Sequence, residues 1–208
     1  VIIAKFSTPG KLCESESEEN EPMCIEMDTM RAISINGEVN GGMSTFVCGT
    51  LQAYGDSKDP VYLYINSPGG SVRDGYAIID QMTVSPFPVY TIVRGQAGSM
   101  AAIIAAYGTK GCRFITKRSA AMIHSVLVGG GEYESIEKVM DQLSYIQQEF
   151  DRNITDMAKR MSISKPKLRE LMKGTEWLTP SQAIKIGLVD GFWTKQMEAG
   201  VVKDDTRK

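Results

Sequence analysis

Val61-Tyr62-Leu63-Tyr64-Ile65-Asn66-Ser67-Pro68-Gly69-Gly70-Ser71 decides how this chain folds. An unbroken run of β-formers ends in a proline and two glycines. Tyr76, Ile78, Ile79 and Met82 then recur at helical spacing until Pro86 and Pro88 stop them. A strand passing through a glycine turn into a helix is half of a βαβ unit, and the pattern repeats on both sides. Upstream, Ala32-Ile33-Ser34-Ile35 alternates as a strand, Asn36-Gly37 turns, and Met43 to Tyr54 carries helical spacing up to Gly55-Asp56. Downstream, Val89 to Val93 reads as a strand and Gly95-Gln96-Ala97-Gly98 as a tight turn. Ser99 to Tyr107 reads as a helix of small residues, followed by short strands at Arg113 to Thr116 and Ala120 to Ile123. Strands alternating with helices predict an α/β fold of parallel units joined by right-handed crossovers.

Beyond Gly129-Gly130-Gly131, apolar residues from Ile136 and Val139 through Phe150 to Met157 and Met161 step at three or four, which predicts one long amphipathic helix. Its length leaves room for part of it to project toward another subunit. Ser164 to Met172 suggests a short helix, Thr179-Pro180 starts another by N-cap and proline, and Gly187 ends it. Leu188 to Phe192 reads as the last strand. Residues 1–28 hold the run Glu14-Ser15-Glu16-Ser17-Glu18-Glu19-Asn20-Glu21, whose like charges repel, and are expected to form a mobile acidic arm. With Val1 first, removal of an initiator Met or processing of a longer leader is expected. Residues 29–194 are the expected domain and 195–208 a frayed tail.

The 208 residues are 42% hydrophobic and 23% charged with a net charge of −2, which suits one globular domain and gives no pull toward nucleic acid or anionic membrane. No run approaches the ~18 apolar residues of a membrane span, and a cytoplasmic protein is expected. Cys13, Cys24, Cys48 and Cys112 show no C-x-x-C spacing and read as reduced thiols. With His124 the sole histidine, no His-based zinc site can be built, and no metal is expected.

Ser99 stands between a strand and a helix among small neighbours. It is either the N-cap of that helix or a nucleophile held out by the turn, with first-turn N–H groups at hand to stabilise an oxyanion. His124, approached by Ala120-Ala121-Met122-Ile123, ends a buried strand, where imidazole can serve as general base; a lone histidine can equally be a satisfied structural residue. No acid occurs between Gln81 and Gly131, so the α/β-hydrolase order of serine, acid, histidine is excluded. The Asn66 to Ser71 turn can offer a second oxyanion N–H, or be only a turn; it lacks the spacing of a phosphate loop.

These segments resemble the proteolytic subunit of the ATP-dependent Clp protease, the ClpP family. Tyr62 to Gly70, Gly95 to Ala102, Arg113-Phe114, Met122-Ile123-His124 and Gly187-Leu188-Val189-Asp190 fall in that family's order and spacing, over about Arg31 to Thr194. The resemblance implies a serine endopeptidase of the ClpP/crotonase-like fold of repeated ββα units with a protruding handle helix. It makes Ser99 the nucleophile, His124 the base, and the backbone N–H groups of Gly70 and Met100 the oxyanion donors. It further implies a homo-oligomer of stacked heptameric rings enclosing a chamber, fed with unfolded polypeptides by an AAA+ Clp ATPase. ATP is then used by that partner, with no cofactor in this chain. Tyr62, Tyr64, Ile92 and Phe114 match positions lining the docking groove, with Arg94 where an apolar residue is common.

The third triad position departs from the family: Thr175 stands where the family has Asp, beside Glu176. A hydroxyl does not replace the charge, and loss of that group in triads costs up to about 10⁴ in rate. Three readings follow: an active peptidase; a catalytically weak or regulatory Clp subunit acting through mixed rings; and a crotonase-type acyl-CoA enzyme, which the Ser99–His124 pair disfavours.

Overall fold

A computed structural model describes residues 31–125 and 135–198. The acidic arm, the triple glycine and the tail from residue 199 onward lie outside the described residues. In chain order the elements are β1 (Ala32–Asn36), α1 (Gly41–Ala53), β2 (Val61–Ser67), α2 (Val72–Val84), β3 (Val89–Gly98), α3 (Met100–Ala106), β4 (Arg113–Ile115) and β5 (Ala120–Ile123). They continue with α4 (Ile136–Arg160), α5 (Lys165–Leu171), β6 (Glu176–Leu178), α6 (Pro180–Lys185) and β7 (Gly191–Phe192). The strands form one sheet in the order β1-β2-β3-β4-β7, with β5 paired to β3 and β6 to β5. Every pairing is parallel except β5 with β6, so the expected α/β architecture stands.

Strand alternation splits the sheet into two faces. Ile33, Ile35, Leu63, Ile65 and Val93 enter the main core with the apolar sides of α1, α2 and α3. Ile92 and Phe114 point the other way, into a separate cluster with Trp193. Helix starts follow their caps: Asn40 Oδ1 accepts from the Met43 N–H at 3.0 Å, so α1 begins two residues before the expected Met43. Thr179 caps α6 in a capping box with Gln182, with Pro180 in the first turn.

The tight turn expected at Gly95-Gln96-Ala97-Gly98 is instead the second half of β3. Gly95 has φ +93°, and a Cβ there would lie 2.6 Å from the Asn66 Oδ1. The glycine therefore makes room for a bulge, marked by the register shift between Ile65 and Ser67, rather than for a reversal. Past it β3 changes partner, from β4 at Thr91–Val93 to β5 at Gln96–Gly98.

Two strand ends are also shorter than expected. β4 stops at Ile115, and the strand expected from Leu188 is confined to Gly191–Phe192, because the Leu188 amide turns back to the Ala183 carbonyl of α6. The expected tail begins with a helical turn over 195–198, with the Glu198 N–H donating to the Thr194 carbonyl. Asp190 ties β4 to the residues before β7: its Oδ2 accepts from the Gly111 and Arg113 amides and from Arg113 Nε at 2.9 Å. α4 leaves the core as it runs backward, with Ile154 and Met157 buried and Ile136 and Met140 75% and 65% exposed.

Candidate functional site

Ser99 sits at the junction of β3 and α3 with φ 50° and ψ −120°, a backbone conformation that costs a non-glycine residue free energy and persists only when its surroundings enforce it. Its own amide donates to the Met122 carbonyl at 2.7 Å, which binds the turn to β5. The hydroxyl makes no capping bond to α3, so the N-cap reading does not account for it. Instead Ser99 Oγ lies 2.8 Å from His124 Nε2. In the tautomer with Nε2 unprotonated, the hydroxyl donates to it.

This pairing depends on main chains approaching without side chains between them. A Cβ on Gly98 would meet the Pro68 carbonyl oxygen at 2.6 Å. One on Gly69 would meet the Gly98 carbonyl oxygen at 2.5 Å and Ser99 Cβ at 2.8 Å. The glycine turn after β2 is thus pressed against the Ser99 turn, bringing Gly70 to the site. Gly70 bridges to Val39 through the Gly69 carbonyl and the Ser71 amide, so its own N–H stays out of that bridge. Met100 is the first residue of α3, where helix amides lack intrahelical acceptors.

Ser99, His124, Gly70 and Met100 line one cavity of about 310 Å³. Its walls are largely apolar, from Val72 and Ile103 and, across the site, Phe150, Ile154 and Met157 of α4. Tyr76 adds a neutral phenol, since burial, then the Asp156 and Asp80 charges, push its ionisation up. The arrangement offers a hydroxyl beside a base, two backbone donors and an apolar recess, a set suited to acyl transfer. Among the described residues no group of His, Cys, Asp and Glu side chains could hold a metal ion.

Thr175 does not engage His124. β5 and β6 pair antiparallel as far as Ile123 opposite Glu176, and beyond that pair the register is left, with the Ser125 amide donating to the Met172 carbonyl. Thr175 is exposed, and among the described residues it makes no hydrogen bond to His124.

The four residues expected in a docking groove are brought together. Tyr62 pairs with Tyr90, Tyr64 with Ile92 and Ile92 with Phe114, all toward the second face. Sequence reasoning missed Tyr90, Trp193 and Met197, which join them, and Glu198, which accepts from Arg94 and from Trp193 Nε1. Burial alone would raise the Glu198 carboxyl, but these bonds and the Arg94 charge outweigh it and hold it below the usual carboxylate range. The cavity walls on α4 were also missed as site residues, although their spacing of three and four was visible.

The family model described as Clp protease matches residues 15–196. Among curated proteins, an ATP-dependent Clp protease proteolytic subunit of Ligilactobacillus salivarius (strain UCC118) is 36% identical over 168 residues, covering 78% of this chain and 82% of the relative. That of Leuconostoc citreum (strain KM20) is 32% identical over 83% of this chain and 88% of its own length. Proteolytic subunit 3 of Synechococcus sp. (strain CC9605) is 33% identical over 93% and 97%.

Proposed function

The chain belongs to the Clp protease family, and from that premise we propose that it is a serine endopeptidase, with Ser99 as nucleophile and His124 as general base. The observation that carries this is the 2.8 Å contact between Ser99 Oγ and His124 Nε2, made by a serine in a strained turn whose hydroxyl does not cap its helix. Ser99 Oγ attacks the scissile carbonyl carbon as its proton passes to His124 Nε2. The carbonyl oxygen becomes an oxyanion that accepts from the Gly70 and Met100 amides, each such donor contributing about 10²–10³ in rate. Collapse breaks the C–N bond, the imidazolium protonates the leaving amine, and water, deprotonated by His124, releases the acyl group and restores Ser99.

The subunit acts, in this reading, within stacked heptameric rings of its own kind. Supporting this, Ile136, Val139, Met140 and Leu143 form an exposed apolar stripe at helical spacing on the protruding half of α4. An AAA+ Clp ATPase docks on the Tyr62, Tyr64, Ile92 and Phe114 face and spends ATP to deliver unfolded polypeptides. This chain itself needs no cofactor or metal. Among the described residues no helix is long and apolar enough to cross a membrane, and Cys48 and Cys112 are free thiols. We assign a cytoplasmic location, without nucleic-acid or membrane partners.

Thr175 favours a second reading, a catalytically weak or regulatory subunit acting through mixed rings, because no described hydrogen bond holds the imidazole from behind. Labelling the purified assembly with a fluorophosphonate, with Ser99→Ala as control and oligomer size read on the same sample, separates the two. Labelling at Ser99 is expected. Intact rings that do not label would establish the second reading.

A further inference from the structure

We propose that the aromatic face is a receptor for an acidic as well as apolar segment of a partner protein, and that this chain's own Met197-Glu198 occupies the receptor until that segment displaces it. This rests on the docking reading above and specifies the chemistry of its partner.

The rings of Tyr62, Tyr90, Phe114 and Trp193 close on one another, with neighbouring centroids 4.9, 6.2, 5.4 and 6.4 Å apart around the quartet. Met197 packs against this cluster, supplying an apolar side chain from outside the sheet. The next residue supplies a charge: the Glu198 carboxylate accepts from the Arg94 guanidinium and from Trp193 Nε1. Arg94 is itself aligned, its guanidinium carbon 4.0 Å from the centre of the Tyr64 ring. The face therefore offers an apolar seat beside two fixed donors aimed at one anion.

The present occupant is held weakly enough to leave. Met197-Glu198 lies on a single helical turn, and the Arg94 and Glu198 side chains are 43% and 37% exposed. Solvent screens the Arg94 pair, so giving up that contact costs a competitor no more than about fivefold in affinity, while its own carboxylate and apolar residue replace the Trp193 bond and the Met197 packing. A competitor that brings only an apolar side chain leaves the Arg94 charge and the Trp193 N–H without an acceptor under the bound segment. One that also brings a carboxylate in Glu198's place satisfies both. Charge complementarity thus selects an apolar residue followed by Asp or Glu, and disfavours a basic segment.

The test uses fluorescein-labelled hexapeptides on the full chain, read by anisotropy: one containing leucine followed by glutamate, and twins with glutamine or lysine in its place. The glutamate peptide is expected to bind about tenfold tighter than the glutamine twin, the scale of a charge-assisted hydrogen bond. Arg94→Met should bring the two within twofold of each other, and Glu198→Gln should tighten the glutamate peptide several-fold. Elution volume shows that each variant keeps its assembly. Equal binding of glutamate and glutamine peptides, or preference for lysine, overturns the inference and leaves the docking reading standing. Binding of none of them, even to Glu198→Gln, overturns the docking reading with it.

Discussion

From Val89 to Arg94, β3 is flanked by large side chains: Tyr90, Ile92 and Arg94 reach one face, where aromatic rings and an ion pair meet them. From Gly95 to Gly98 the same strand carries, apart from Gln96, little beyond its main chain, and at Gly95 and Gly98 neighbours approach within distances that a single methyl would close. Under the proposed function the first half recognises by what its side chains offer, and substitutions there change preference by degrees. The second half positions by what its residues lack, so small additions there shift Ser99 and the glycine turn packed on it. One strand can serve both because the bulge at Gly95 hands it from β4 to β5.

The sharpest way to separate the halves is Ser99→Ala, which should bring turnover of an unstructured peptide down to background, while the hexapeptides of the aromatic face bind unchanged. Residual cleavage above background would assign the chemistry to another group. Asp190→Asn attacks the other half. It leaves the Arg113 side chain, 4% exposed, without its ionic partner, and should cost about 3 kcal/mol by denaturant melts. Burial alone would raise the Asp190 carboxyl, yet the hydrogen bonds and charge of Arg113 hold it below the ordinary range. Its contribution is therefore present above the unfolded value of about 3.9 and is lost as pH falls through the lower folded value. Wild-type stability should fall across that acid window more steeply than that of Asp190→Asn; parallel melts would remove Asp190 as the cause.

Gly98→Ala tests whether the bare half is positional. The added methyl, 2.6 Å from the Pro68 oxygen, should misplace the oxyanion donors and cost about 10² in kcat with the fold intact by circular dichroism. Activity near wild type would mean that the turn yields. The smallest effect expected is a gain: Thr175→Asp sets a carboxylate directly before the Ile123–Glu176 pair, at the strand end that carries His124, and should raise peptide turnover about tenfold, within the range that the third triad group commands. No gain in intact assemblies would show that the backbone there does not aim a side chain at Nδ1.

The βαβ order was legible because each element announces itself locally: β-formers in Val61–Ile65, helical spacing at Tyr76 to Met82, a cap and proline at Thr179-Pro180. The Gly95–Gly98 segment was misread for the same reason, since glycines signal turns locally and only contact with Asn66 and Pro68 shows that they are spaces. Ser99 and His124 were legible through chemistry, as one strand-to-helix serine and the sole histidine. Glu198 was not, because its partner Arg94 lies 104 positions away, in a strand whose surroundings no local pattern describes. Thr175 lies just before β6, outside the paired residues of β5 and β6, and makes no described hydrogen bond to His124, which alignment on the neighbouring motifs did not reveal.

The Arg113–Asp190 tie spans 77 positions, and Trp193 follows it. During synthesis at about 5–20 residues per second, β4 emerges roughly 4–15 seconds before the residues that cover its edge. In that interval Ser99 and His124 are already on the growing chain, while Phe114 and the open side of β4 have no strand to meet. An exposed parallel edge of this kind invites pairing with another nascent chain. A ribosome that stalls between Ser125 and Gly191 therefore releases a product with Ser99 and His124 present and a sticky margin, a substrate for chaperones and proteases.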